Sequence, residues 1–328
     1  MAAVIPRRSP AALDAVDSSA VFRRQMLADL ANTQRRVTAA GVETSYYEFG
    51  EGPPLVLLHG AIECGGVMWS PVVPALARRY RVIVPDVPGL GESAALDRLD
   101  PDTFGRWLTS FLAAINVQRP ILVAHSLVGA LALRFAVSNY RDLRRLVAYA
   151  GPGIGKYRLP LRLMYVAVRL QLRPTPKNDE RFARFALLDY EATRASDVDW
   201  FDAFAAYSLR LGVTSRVKRT MNTLIRTCTK RIPDEELRQI EVPVDLLWGE
   251  GDRISPISLG KGASQRLGWP LHVIPRAAHA PHIEQPEAFV ETLLSILDSP
   301  VPADVMPADT NPAGPNGQAV SQQERKST

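Results

Sequence analysis

The sequence predicts an α/β fold: a mostly parallel sheet with helices on both faces and a helical insertion within it. Three observations carry this expectation. Short apolar runs recur at Leu55 to Leu58, Val82 to Val84, Ile121 to Val123, Leu146 to Tyr149, Val244 to Leu247 and Leu271 to Ile274, and helical patterns alternate with them. The alternation stops after Gly151-Pro152-Gly153-Ile154-Gly155 and resumes only at Val242-Pro243-Val244. Finally, the run Ile121-Leu122-Val123-Ala124-His125 leads straight into Ser126 and then into a helix, with almost no loop between.

Taken in chain order, residues 1–40 read as an extension. Phe22, Met26 and Leu30 recur at i, i+4 and i+8 there, which predicts one amphipathic helix docked on the core. The core itself is expected over 41–151 and 242–298. Its clearest helix starts at Asp100-Pro101, an N-cap acid followed by proline in the first turn, and Phe104, Trp107, Leu108, Phe111, Leu112 and Ile115 keep one face apolar. Residues 152–241 carry Leu159, Phe182, Phe185, Trp200, Phe204 and Tyr207 among other large apolar side chains, and are expected to form a cap of several short helices. In open α/β sheets ligands bind at the carboxyl ends of the strands, where this insertion begins and ends, so the cap is expected to set substrate choice. Residues 299–328, rich in Pro, Ala, Asn, Gln and Ser, read as a disordered tail.

With 328 residues and 46% hydrophobic content, the chain can bury a large core. Its net charge of +5 is spread along the sequence rather than packed into a block, and no nucleic-acid-binding signature is present. Cys64 and Cys228 are too few for a disulfide framework or a cysteine zinc site. Arg7-Arg8 is followed by a stretch interrupted by acids rather than by an apolar signal core, and no run reaches the ~18 apolar residues of a membrane span. The expectation is a cytoplasmic protein with a small-molecule substrate, no nucleic-acid partner and no integral membrane segment; oligomeric state is not legible. No metal and no cofactor are expected, since Gly89-Leu90-Gly91 lacks the third glycine of a dinucleotide fingerprint and there is no P-loop.

Chemistry concentrates in a few segments. Ser126 sits on the strand-to-helix turn; Asp252 lies in Trp248-Gly249-Glu250-Gly251-Asp252; His279 lies in Ala277-Ala278-His279-Ala280-Pro281. Serine, acid and histidine in this order match the chain order of the α/β-hydrolase triad and differ from the orders used on other serine-hydrolase folds. With Leu57-Leu58-His59-Gly60-Ala61 and Pro85-Asp86-Val87-Pro88-Gly89-Leu90-Gly91-Glu92-Ser93, the chain over roughly residues 40–298 resembles the α/β-hydrolase superfamily. Within it the likeness is to the capped small-molecule branch of esterases, carbon-carbon bond hydrolases and haloperoxidase-like enzymes.

The resemblance implies Ser126 as nucleophile, His279 as its base and Asp252 as the acid orienting the imidazole, with the backbone N–H groups of Ala61 and Leu127 as oxyanion donors. His59, His125, His272 and His282 are left structural or substrate-contact roles, and Asp86 a structural place in its turn. Lid arginines Arg158, Arg162, Arg169 and Arg173 read as a solvated helix face, with an anionic substrate group as the alternative. The elbow departs from the family's G-x-S-x-G: Ala124 and Val128 flank the serine, and the β-branched valine is expected to crowd the turn, with Gly129 and Ala130 just beyond. The function expected is hydrolysis of a small, largely apolar carboxylic ester through an acyl-enzyme. Carbon-carbon or thioester cleavage by the same residues is one alternative, and a catalytically weak ligand-binding protein is another.

Overall fold

In the computed structural model the described residues are 21–23, 26–27, 34–60 and 64–300. They contain an eight-stranded sheet in the order β1-β2-β4-β3-β5-β6-β7-β8. The strands are β1 Gln34–Ala39, β2 Val42–Phe49, β3 Pro54–Leu58, β4 Arg81–Pro85, β5 Ile121–His125, β6 Arg145–Tyr149, β7 Val244–Gly249 and β8 Leu271–Ile274. From β4 across to β8 all pairings are parallel, while β1 with β2 and β2 with β4 run antiparallel. The helices of the core are α1 Pro101–Ala114 and α2 Ser126–Asn139; α3 Leu161–Leu172, α4 Pro176–Ala186, α5 Tyr190–Ser196, α6 Val198–Gly212 and α7 Ser215–Cys228 fill the interval between β6 and β7; α8 Ser258–Leu267 and α9 Pro286–Asp298 complete the core. No helix among the described residues is long and apolar enough to cross a membrane.

The sheet's six apolar strands lie where the sequence places them. The hairpin β1–β2 is different. Gln34–Ala39 falls inside the stretch expected to precede the core, yet it forms the edge strand of the sheet. Its side chains are mostly exposed, with Arg35 and Arg36 pointing charge at solvent, so it lacks the alternation that marks a half-buried strand. The turn joining it to β2 is carried by Ala40 and Gly41, both at positive φ, as a two-residue hairpin requires. Of the residues marking the expected N-terminal helix, Leu30 lies outside the described residues; Phe22 and Met26 pack against the core. The tail beyond residue 300 also lies outside them.

Helix α1 starts as its sequence dictates. The Asp100 carboxylate accepts the Thr103 N–H at 3.0 Å while the Thr103 hydroxyl accepts the Asp100 N–H at 2.9 Å, a reciprocal capping box ahead of Pro101. Its apolar face, Phe104 through Leu112, is buried, and Trp107 donates from Nε1 to Thr44 Oγ1 at 2.9 Å. On the amino-terminal side of the sheet, away from the strand ends that carry the site, Arg145, Asp245 and His272 form a chain of contacts. The Arg145 guanidinium meets Asp245 Oδ2 at 2.6 Å and His272 Nε2 meets Oδ1 at 2.9 Å.

Strand β5 is buried over its whole length, and Ser126 begins α2 directly behind it with φ at +56°. A non-glycine residue in the left-handed region carries a backbone cost of about 1–3 kcal/mol and persists only where surrounding packing dictates it. Here the helix must leave the strand at once and pack back along it. The close approach this forces falls at Gly129, where an added Cβ would stand 2.7 Å from the Ala124 carbonyl oxygen. Val128, expected to crowd the turn, is instead fully buried in the core cluster. The first turn of α2 aims position 129 at the strand backbone, one residue beyond the position that the sequence reading singled out.

The two positions therefore predict opposite requirements. Gly129→Ala forces a methyl against backbone and is expected to lower stability by about 1–3 kcal/mol. Val128→Gly removes a buried side chain and adds helix-interior backbone freedom, and is expected to cost about 2–4 kcal/mol. Urea unfolding midpoints measure both; an unchanged midpoint for either variant contradicts this account of the elbow.

Candidate active site

The carboxyl ends of β5, β7 and β8 converge, and the loops leaving them bring three side chains into one line. His279 Nε2 lies 2.9 Å from Ser126 Oγ, and its Nδ1 lies 2.8 Å from Asp252 Oδ2. All three residues are buried, Ser126 with 8% of its surface exposed. The turn after β7 holds the carboxylate from behind: Asp252 Oδ1 accepts the N–H groups of Ile254 at 2.8 Å and Ser255 at 2.9 Å. This leaves Oδ2 for the imidazole and fixes the proton of neutral His279 on Nδ1, so that Nε2 faces the serine as an acceptor. Such a chain can take a proton from Oγ and hold the resulting imidazolium beside a carboxylate. Leu127, second residue of α2, has an N–H with no carbonyl of its own helix behind it, at the positive end of the helix dipole.

Ala61, with Ile62 and Glu63, lies outside the described residues, but both ends of its loop are held. His59 Nδ1 donates to the Gly60 carbonyl at 2.6 Å, while His59 Nε2 accepts the Val87 N–H at 2.8 Å. Burial drives the His59 pKa down, which keeps it neutral for this double role. At the far end Asp86 Oδ1 accepts the Gly66 N–H at 2.7 Å. Gly60 has to be glycine, because a Cβ would meet His125 Nδ1 at 2.7 Å and the Ser126 Cβ at 3.1 Å. Cys64 is fully buried beside this loop.

Three further histidines of the sequence reading sort themselves by contact. His125 donates from Nε2 to the His279 carbonyl at 2.9 Å, bracing the loop that carries the imidazole. His282 Nδ1 meets the Tyr149 hydroxyl at 2.9 Å, within a buried cluster that also contains Trp69 and Phe289. His272 pairs with Asp245 away from the strand ends that carry the site. Among the described residues no group of three His, Cys, Asp or Glu side chains is arranged to hold a metal ion.

Two residues that the sequence did not single out tie this region together. Glu284, in the one-turn helix Pro281–Glu284, accepts the Ala278 N–H at 2.8 Å and the Ala280 N–H at 3.1 Å through Oε1, and the Leu188 N–H of the α4–α5 connection at 2.6 Å through Oε2. It therefore clamps both neighbours of His279 to the chain just after α4. The His279 N–H itself donates to the Ala186 carbonyl at the end of α4, at 3.1 Å. Arg23 is buried between α6 and the sheet: its guanidinium pairs with Asp86 at 3.1 Å, donates to the Tyr207 hydroxyl of α6 at 2.8 Å, and donates to the Tyr47 hydroxyl of β2. Burial opposes its charge, but Asp86, Tyr207, Tyr47 and Glu92 outweigh that and hold its pKa well above the usual value. No local sequence pattern marks either residue: Arg23 acts on chain far away from it, and Glu284 joins two near neighbours to the distant Leu188.

Comparisons with known proteins give the chain's relatives. A profile described as "Alpha/beta hydrolase family" matches residues 55–292. The chain is 29% identical over 279 residues to the 2-hydroxy-6-oxo-6-(2'-aminophenyl)hexa-2,4-dienoic acid hydrolase of Metapseudomonas resinovorans, covering 81% of this chain and 91% of that protein. It is 26% identical over 276 residues to the pimeloyl-(acyl-carrier protein) methyl ester esterase of Aeromonas hydrophila, covering 77% and 98%. Among solved structures, the naproxen esterase of Bacillus subtilis superposes with a TM-score of 0.75 at 19% identity, covering 89% of this chain and all (100%) of that one, a likeness of fold.

The buried histidines make stability depend on pH. Burial first, then the neighbouring His279, pushes His282 down to about 3, and burial with the charge of His279 and His282 drives His125 well below its ordinary range. In the unfolded chain both bind a proton below about pH 6.5. The unfolded state therefore takes up protons first as pH falls, and stability present above about pH 6.5 is lost progressively toward pH 3, by up to about 1.4 kcal/mol per pH unit for each histidine. Urea titrations at pH 7.5, 6 and 5 are expected to show this decline, with a shallower slope in His282→Gln; equal slopes contradict the assignment of His282 as a buried neutral group.

Proposed function

The chain belongs to the alpha/beta hydrolase family, and on that premise we propose that it is a serine hydrolase of a small, largely apolar carboxylic ester. The observation that carries the reading is the continuous hydrogen-bonded line from Ser126 Oγ through His279 to Asp252, at 2.9 and 2.8 Å. Ser126 Oγ attacks the ester carbonyl carbon as His279 Nε2 takes its proton. The carbonyl oxygen becomes an oxyanion facing the N–H groups of Leu127 and Ala61, each such donor typically contributing about 3–4 kcal/mol of transition-state stabilisation. Collapse of the tetrahedral intermediate breaks the ester C–O bond, and His279 passes the proton to the departing alcohol. A water then loses its proton to the same nitrogen, attacks the acyl-enzyme and releases the acid with Ser126 restored. Neither step draws on a metal or a cofactor.

Residues 152–241 act in this reading as a lid over the serine. Leu187 and Phe201 of the lid pack on Ala280 and Ile283 beside His279, so the wall above the imidazole is apolar, which suits an apolar acyl or alcohol group. A second reading, carbon-carbon cleavage of a diketone-like dienoate, rests on the relative from Metapseudomonas resinovorans named as a hexadienoic acid hydrolase. The same serine, histidine and oxyanion donors serve there, with a carbanion in place of the alkoxide as leaving group.

A panel of p-nitrophenyl esters of increasing chain length, run beside a dienoate diketone, separates the two. Turnover of the esters is expected, falling by about three to four orders of magnitude or more in Ser126→Ala and His279→Ala and somewhat less in Asp252→Asn, with pairs of changes costing little beyond the worse single one. Faster cleavage of the diketone moves the assignment to the second reading. Folded wild-type protein with no turnover of either class contradicts both and leaves a ligand-binding protein; near-full activity of Asp252→Asn contradicts the role given to the acid.

A further inference from the structure

Cap helix α3 is apolar on two sides. Leu163 and Val166 face inward against Phe185, with Ile254 of the acid loop beside them. The opposite side carries Leu161 (79% exposed), Met164, Tyr165, Val168 and Leu172 (77% exposed), spaced as one helical stripe around a shallow surface cavity. Twelve residues give this stripe a length of about 18 Å. A contiguous exposed apolar stripe on a folded protein marks a surface that something else covers.

Charge identifies what covers it. Residues 156–173 hold Lys156, Arg158, Arg162, Arg169 and Arg173 and no acidic residue at all. At 100° per residue Arg162, Arg169 and Arg173 fall together along one edge of the stripe. Among the described residues, none of Arg158, Arg162, Arg169 and Arg173 pairs with a carboxylate: Arg169 bonds Asn178 Oδ1 at 2.9 Å and Tyr165 Oη at 3.2 Å, and Arg162 lies over the Phe185 ring. A second copy of the chain is disfavoured, because antiparallel pairing about a two-fold axis would set two such cationic edges against each other, and parallel pairing would leave the arginines without an anionic partner. Nucleic acid would satisfy the arginines and leave the leucines in water. An anionic lipid surface accepts both at once, the stripe entering the acyl boundary and the guanidinium groups meeting headgroup phosphates.

We propose that α3 is an interfacial docking helix through which the protein seats its cap on an anionic membrane. The face lies on the cap, outside the hydrogen-bonded line of Ser126, His279 and Asp252, so docking is independent of whether the ester-hydrolase reading holds. The stripe and its edge divide the work: the arginines draw the protein to the surface, and Leu161 and Leu172 at the two ends of the helix anchor it.

The full chain is mixed with unilamellar vesicles of phosphatidylglycerol and phosphatidylcholine, or of phosphatidylcholine alone, and sedimented. Binding is expected to the anionic vesicles only and to be lost in high salt. Arg158→Gln with Arg173→Gln is expected to weaken partitioning roughly 25-fold, about fivefold for each cation lost. Leu161→Ser with Leu172→Ser is expected to weaken it by more than about tenfold while leaving the melting temperature in place, since both side chains stand in solvent. Three results overturn the proposal: no sedimentation with anionic vesicles, sedimentation unaltered by both variants, or equal binding to phosphatidylcholine alone. A fourth is a dimer in light scattering that the leucine variant dissociates, which would make a second copy the occupant.

Discussion

The left-handed backbone of Ser126 is the constraint on which the rest of the site depends. It lets a fully buried strand turn into a helix within one residue, which projects the hydroxyl beyond the sheet while aiming the helix amino terminus at the same point. The strain is offset by burial on both sides: β5 lies between β3 and β6, and α2 buries most of its residues. Two close approaches are the steric consequence. Gly129 passes against the Ala124 carbonyl, and Gly60 passes against His125 and Ser126. Side chains at either place would move the serine relative to the histidine, and a misplacement of about 1 Å is enough to cost roughly a hundredfold in rate.

The histidine is positioned from the other direction, by the chain at the end of α4 as much as by the sheet. Its N–H reaches the Ala186 carbonyl, and Glu284 holds Ala278, Ala280 and Leu188 on one carboxylate. The end of α4 and the loop carrying the imidazole thus share hydrogen bonds. Arg23 makes the equivalent tie on the opposite flank, joining Asp86 of the turn after β4 to Tyr207 of α6. Because Asp86 also holds the Gly66 N–H, the loop that contains Ala61 is anchored through a buried charge pair. Removing one member of such a pair is far more damaging than replacing both, since the survivor stays buried and uncompensated.

What was legible in the sequence follows a physical division. Strands buried on both faces read as apolar runs, and Ser126, Asp252 and His279 stood out because each follows such a run, Ser126 at once and the other two on the loops that leave β7 and β8. The edge strand Gln34–Ala39 did not read, because its exposed arginines carry no alternation. Glu284 and Arg23 did not read either: the partners that tie them to α4's end and to α6, Leu188 and Tyr207, lie 96 and 184 residues away, and a long-range hydrogen bond leaves no local period. The place of closest approach at the elbow did not read either. The motif marks where small residues usually sit, but the helix phase decides which Cβ meets the strand, and here that is position 129.

The central claim is that Ser126 is an activated nucleophile. Treatment of the native protein with a fluorophosphonate, followed by intact mass and peptide mapping, tests it without any knowledge of the substrate. One phosphonyl adduct per chain, localised to Ser126 and absent in His279→Ala, is the predicted result. A folded protein that stays unmodified, or an adduct mapped to another residue such as Cys64, would contradict the account.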